Sequence, residues 1–269
     1  MSAPGSGPGA QRLVFVTGTD TGVGKTFVTA ALAAALRTRG VAVAALKPVE
    51  TGVDGVGPTD AERLAAAAAP PLAGPAARSA AAPAEGPTDV APPSPWYCFT
   101  PALSPHLAAR QAGVAIDAPR LAAAIRAVAR TVTVTLVEGA GGLLVPLNDD
   151  GRTMADLCAA LDADLLVVAR ASLGTINHTL LTLAEARRRA LRVLGVVVND
   201  ARPRNGPPAT PDPSAAFNAQ EIARFGGCPV WGPLAWCFGG GDAPPAAARW
   251  LSAGAPSLVH ALAAGQAVA

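Results

Sequence analysis

Lys25 and Lys47 are the only lysines in a chain of 269 residues, and every other one of its 21 basic residues is arginine. A sequence that writes Arg wherever a surface cation suffices has kept Lys twice. Either coding bias left two accidental survivors, or these are places where a compact ammonium fits and a planar guanidinium is too wide. Their neighbours decide. Lys25 ends the run Gly18-Thr19-Asp20-Thr21-Gly22-Val23-Gly24-Lys25-Thr26, which follows an apolar strand pattern and opens a helical one. Glycines there let successive backbone N–H groups point at phosphate oxygens, and the helix N-terminus adds its positive end. Lys25 then reaches the outer phosphates and the Thr26 hydroxyl is placed to ligate Mg²⁺. The spacing departs from G-x-x-x-x-G-K-[ST], because Thr19 stands where the first glycine belongs and Gly18 lies one step early. A ligand-free strand-to-helix turn would explain the glycines but not the Lys-Thr pair.

Lys47 closes the second strand pattern in Lys47-Pro48-Val49-Glu50-Thr51-Gly52. Alone, this is a strand exit with a surface lysine. Beside the loop, it supplies a second cation against the charge that develops in phosphoryl transfer. A magnesium site also needs carboxylates near Thr26. Asp60, at a helix start in Thr59-Asp60-Ala61-Glu62, is one candidate, with a plain helix cap as its competing role. Glu138, directly after a strand and ahead of Gly139-Ala140-Gly141-Gly142, is the other, since a glutamate in a glycine turn has little structural use.

These residues need a scaffold whose strand ends converge. Apolar runs at Leu13–Val16, Val41–Leu46, Val132–Val137, Leu165–Val168 and Val193–Val198 read as buried parallel strands. Helical patterns at Thr26–Arg39, Leu121–Arg130 and Asn177–Arg189 alternate with them. The expected fold class is α/β: a doubly wound, mostly parallel sheet with right-handed crossovers and ligands at the carboxyl ends of its strands. One domain over residues 12–269 is expected, behind a disordered tail at 1–11. It is interrupted by an Ala/Pro-rich excursion at 65–95 and a Pro-rich loop at 202–214, neither with the composition for its own core.

Composition closes off other classes. The net charge of +2 has no basic block that would hold nucleic acid. No apolar run approaches the roughly 18 residues of a membrane span, and the N-terminal segment has no signal-peptide pattern, so a cytoplasmic protein without membrane or nucleic-acid partners is expected. The isolated Cys98, Cys158, Cys228 and Cys237 suggest neither zinc nor disulfides, and Cys98 beside Trp96 and Tyr97 reads as packing. Asn177 reads as a helix cap with His178 beside it, His106 as the start of a helix that shapes a cleft, and Asp149 and Asp150 as solvated loop acids.

In order along the chain, VTGTDTGVGKT (Val16 to Thr26), KPVETG (Lys47 to Gly52), SPHLAA (Ser104 to Ala109), EGAGGLLVPL (Glu138 to Leu147), LGTINHTLLT (Leu173 to Thr182) and Val198-Asn199-Asp200 resemble the dethiobiotin synthetase family. The resemblance runs from about Leu13 to Trp236. It implies a homodimeric fold of the P-loop NTPase type and the Mg²⁺- and ATP-dependent conversion of 7,8-diaminononanoate and CO2 to dethiobiotin, ADP and phosphate, through a carbamate and its mixed anhydride with phosphate. It further implies that Lys25 and Lys47 are catalytic, and that Thr26, Asp60 and Glu138 hold the metal. Gly22, Val23, Gly24, Phe27, Gly139, Ala140, Gly141, Asn199 and Asp200 join Lys25 and the metal ligands around the nucleotide, and Thr51 contacts the diamine.

Two departures stand out. Gly22 occupies a position that is acidic in many members, and the family's G-E-I-P-W stretch appears as Gly232-Pro233-Leu234-Ala235-Trp236, with Gly239-Gly240-Gly241-Asp242 beyond. Asn199 is therefore expected to matter more for the base than Trp236. The alternative is an ATP-driven partitioning or positioning switch, whose signature lysine would fall at Asp20. A cobyrinate diamide synthase would need a glutaminase domain, for which the chain to Ala269 leaves no room.

Overall fold

The computed structural model describes residues 11–69, 96–200, 212–234 and 244–266. In chain order the first elements are β1 (Arg12–Gly18), α1 (Lys25–Arg37), β2 (Val43–Leu46), β3 (Val49–Thr51), α2 (Asp60–Ala68), β4 (Tyr97–Phe99), α3 (Pro105–Gln111), α4 (Ala118–Ala129) and β5 (Val134–Gly142). There follow α5 (Met154–Leu161), β6 (Asp164–Arg170), α6 (Thr175–Arg188), β7 (Val193–Asn199), α7 (Ala215–Gly226), β8 (Val230–Leu234), α8 (Pro244–Gly254) and α9 (Pro256–Ala264). Met1 to Ala10, 70–95 of the Ala/Pro-rich excursion, 202–211 of the Pro-rich loop, Trp236 and Gly239 to Asp242 lie outside the described residues.

Six strands form one parallel sheet in the order β2-β5-β1-β6-β7-β8. Period-2 alternation sends side chains to opposite faces, and both faces are covered, which is why the strands read as continuous apolar runs. On β1, Val14 and Val16 enter a core shared with α1, α2, α8 and α9. Phe15, between them, enters the other core, against α3 to α7. The expected doubly wound architecture is the one observed.

Some boundaries differ, for identifiable reasons. β1 and β2 do not lie side by side: β5 is inserted between them, pairing Val16 with Glu138 on one side and Leu46 with Val137 on the other. β5 also continues past Val137 to Gly142, so Glu138 belongs to the strand rather than to a turn after it. Helix α6 is capped by Gly174 at φ 92°, a left-handed conformation that favours glycine, so Asn177 and His178 sit inside its first turn and Asn177 is not the cap. A small second sheet, β3 parallel to β4, was not expected, because three-residue strands are too short for a pattern. It leaves Cys98 exposed rather than packed.

Candidate functional site

The carboxyl ends of β2, β5 and β1 open into a cleft of about 1190 Å³, whose lining includes Lys25, Thr26, Lys47, Thr51, Asp60 and Glu138. The loop from β1 to α1 is fixed by its glycines. Gly24, the N-cap of α1, has φ 90°, which strains any residue with a side chain. A Cβ on Gly18 would come within 2.7 Å of the Asp20 carbonyl oxygen and 3.0 Å of Lys25 Nζ. The early glycine is therefore required sterically, because the loop folds back over it. Lys25 Nζ donates to the Asp20 carbonyl at 3.1 Å. Burial pulls this ammonium down to about 8, with Glu138 acting against the fall and Lys47 adding to it.

Four side chains from three elements and the connection after β2 meet at one point. Thr26 Oγ1 lies 2.9 Å from Asp60 Oδ2 and 2.9 Å from Glu138 Oε1. Lys47 Nζ donates to Asp60 Oδ2 at 3.2 Å and to Glu138 Oε1. The Thr26 hydroxyl has a single proton and so donates to one carboxylate at a time; the lysine has three. Glu138 is fully enclosed, and its second oxygen, Oε2, is buried without a protein partner. Burial pushes the Glu138 carboxyl up, opposed by the Lys47 ammonium. For Lys47, burial acts against the charged form, but Glu138 and Asp60 outweigh it and hold the lysine above its usual value. At 3.2 Å and an effective dielectric constant of about 20, the Lys47–Asp60 attraction is roughly 5 kcal/mol, comparable with the several kcal/mol that desolvating each ion costs. The cluster thus contributes placement of charge more than stability.

Among the described residues there is no group of three or more His, Cys, Asp or Glu side chains that could hold a metal by themselves. Two carboxylates and a hydroxyl suit Mg²⁺ nonetheless, since it is bound through one or two carboxylates with the remaining positions taken by water and phosphate oxygens. The orphaned Glu138 Oε2 is a donor atom of the right kind for it.

Asp60 owes its place to a residue that sequence reasoning did not single out. Glu50, on β3, accepts from the backbone N–H of Asp60 at 2.7 Å and of Ala61 at 3.1 Å. Thr59 rather than Asp60 is the N-cap of α2, in a capping box with Glu62. The only sequence signal was an acid on a strand exit, which carries no spacing rule to a helix ten residues on.

The remaining predicted residues divide. Gly22 is exposed at φ 75°, Val23 is buried, and Phe27 is half-buried against the cleft. Ala140 and Gly141 line the cleft. Gly139 packs beneath, where a Cβ would lie 2.9 Å from the ring of Phe15. Thr51 is half-buried on β3 and faces the cleft. Asn199 is buried, and its amide donates to the Val23 carbonyl at 3.0 Å, so in this structure it braces the phosphate loop. The Asp200 N–H donates to the Leu234 carbonyl. Asp20 accepts from Arg170 at 2.9 Å. His106 lies in α3 with Nδ1 3.0 Å from Ser104 Oγ. Of the two loop acids, Asp149 is exposed but bound by Arg110.

A family model described as "AAA domain" matches residues 12–237. The ATP-dependent dethiobiotin synthetase BioD of Anaeromyxobacter sp. (strain Fw109-5) is 43% identical over 216 residues, 80% of this chain and 86% of that protein. The protein of the same name from Mycobacteroides abscessus is 41% identical over 219 residues, 81% of this chain and 84% of its own. Among solved structures, a ParA family ATPase from Chlorobium tepidum TLS aligns over 94% of this chain and 98% of that one, with a TM-score of 0.49 and 13% identity.

Proposed function

The chain belongs to the ATP-dependent dethiobiotin synthetases, and from that premise we propose how its own residues close the ring. The enzyme is a cyclo-ligase that turns 7,8-diaminononanoate, CO2 and ATP into dethiobiotin, ADP and phosphate. One substrate amine adds to CO2 and loses a proton to give a carbamate. A carbamate oxygen attacks the γ-phosphorus, releasing ADP. The second amine then attacks the carbonyl carbon of the mixed anhydride, and phosphate leaves as the ureido ring closes.

In our reading the loop Gly22-Val23-Gly24 presents its N–H groups to the phosphates, and Lys25 neutralises their outer oxygens. Lys47, paired with Asp60 and Glu138 and lining the cleft, offers its ammonium to both the carbamate and the transferring phosphoryl group. Thr26, Asp60 and Glu138 hold Mg²⁺, which when bound neutralises charge on the phosphate oxygens. The substrate amines are their own nucleophiles, so no general base is assigned. Thr51, on β3 in the lining of the cleft, contacts the diamine. Ala140 and Gly141 line the cleft beside the phosphates with Gly139 behind them, Phe27 packs at the side, and Asn199 with Asp200 takes part in nucleotide binding through the hold of Asn199 on the Val23 carbonyl.

The observation that carries this reading is the convergence of Thr26 Oγ1 and Lys47 Nζ on the same Asp60 and Glu138 oxygens, at the foot of the phosphate loop. The test mixes purified protein with diaminononanoate, bicarbonate, Mg²⁺ and ATP and measures ADP and dethiobiotin together. Equal yields of the two are expected; ATP loss without ring product refutes the coupling.

We further propose one domain over residues 12–269, a homodimer, and a cytoplasmic location. The dimer is carried over from the family resemblance, and Leu144, Leu173 and Leu181, 51%, 80% and 62% exposed, are apolar side chains that a second copy would cover. Light scattering on the eluting protein tests it, with a monomer mass as the adverse result. For the location, no helix among the described residues is long and apolar enough to cross a membrane.

A further inference from the structure

Glu50 is a buried carboxylate that the ring-closing chemistry does not use. It sits at the centre of β3, which is fixed by pairing with β4, and both its oxygens accept from the first two N–H groups of α2. Every otherwise orphaned N–H at that helix start is accounted for: Asp60 and Ala61 go to Glu50, Glu62 to the Thr59 hydroxyl, and Thr59 to the Glu62 carboxylate. The division matters. The Thr59–Glu62 box is local and exposed and would cap α2 anywhere in the molecule. The Glu50 contacts are long-range, and they tie the helix start to the wall of the cleft. The residue they grip first is Asp60, whose side chain leaves that same backbone unit toward Thr26 and Lys47.

We propose that Glu50 is a positioning residue: by holding the Asp60 and Ala61 N–H groups it aims the Asp60 carboxylate at the site, and so sets how strongly a divalent cation enhances nucleotide binding. Two N–H donors and the positive end of α2 compensate the burial of its charge. Without Glu50 the box still starts the helix, so the fold persists while Asp60 loses its anchor. This inference rests on Asp60 being a metal ligand, as proposed above.

The test titrates the full chain calorimetrically with a non-hydrolysable ATP analogue, with and without Mg²⁺, for the natural sequence, Glu50→Ala, Glu50→Gln and Asp60→Asn. Glu50→Ala is expected to cut the Mg²⁺-dependent gain in affinity about 10-fold, the scale on which partners of metal ligands act, while metal-free affinity changes by less than about twofold. Glu50→Gln keeps one accepting oxygen and should fall between. The Mg²⁺ concentration for half-maximal ADP formation should rise in the same order, with the KM for the diamine unmoved. A helix-stabilising role alone would lower the melting temperature and leave the Mg²⁺-dependent gain intact, and that result overturns the proposal. If Asp60→Asn also leaves the gain intact, the ligand assignment itself falls, and the proposal with it. If Glu50→Ala does not fold, Glu50→Gln decides: an unchanged gain overturns the proposal, and a reduced one supports it.

Discussion

The two halves of the site proposed to face the phosphates are built on opposite principles. From Gly18 to Lys25 the shape is made mainly by the local backbone: eight consecutive residues, with close approach at Gly18 and a left-handed backbone at Gly24, carry their lysine with them, and Arg170 and Asn199 only brace the loop from outside. Around Lys47 nothing is local. Asp60 is 13 residues from Lys47 and Glu138 is 91, and their meeting depends on β5 lying between β1 and β2 and on Glu50 gripping α2. The lesson is that a backbone-made site should fail as a unit, through stability and nucleotide binding together. A side-chain-made site should lose chemistry first and keep its fold.

Lys47→Arg pushes hardest on that contrast. The planar guanidinium does not fit among Thr26, Asp60 and Glu138, so turnover is expected to fall on the order of 100-fold, with ATP-analogue affinity nearly unchanged. Turnover equal to that of the natural sequence would show Lys47 to be a bystander. Gly24→Ala should show the reverse profile. Forcing alanine to φ 90° costs about 1–2 kcal/mol, a fall of roughly 2–8 °C in melting temperature, and analogue binding should weaken equally with and without Mg²⁺. A loss confined to the Mg²⁺-bound condition would erase the distinction between the halves. Asn199→Ala is the mildest. It removes one hydrogen bond to the Val23 carbonyl, worth about 1 kcal/mol, so affinity for ATP and GTP should drop by a similar few-fold factor. A selective loss of ATP would make Asn199 a reader of the base rather than a brace for the loop.

The same contrast explains what the sequence made legible. Lys25, Thr26 and the glycines could be read directly, because a contiguous loop writes its shape into spacing. The buried strands were equally visible, since a sheet covered on both faces spells itself in Val and Leu. Asp60 and Glu138 were found by residue type and position at element ends, although Glu138 proved to be inside β5 rather than beyond it. Glu50 was invisible because its partners are backbone N–H groups, which no residue type announces. For Asn199, the pattern indicated a residue at a strand end but not its partner, which lies 176 positions away. The insertion of β5 between β1 and β2 is likewise a property of topology and leaves no mark in either strand.

Phe15 and Gly139 carry a consequence for how such chains diverge. The ring edge of a fully buried phenylalanine fills the space that a side chain at 139 would need, and the neighbour of 139 on the strand is the enclosed acid Glu138. Substitutions at 15 and 139 are therefore coupled: a side chain at 139 needs the ring at 15 to shift or give way to something smaller. A change deep in the hydrophobic layer thus bears on the backbone beside Glu138 without touching any polar group of the cluster.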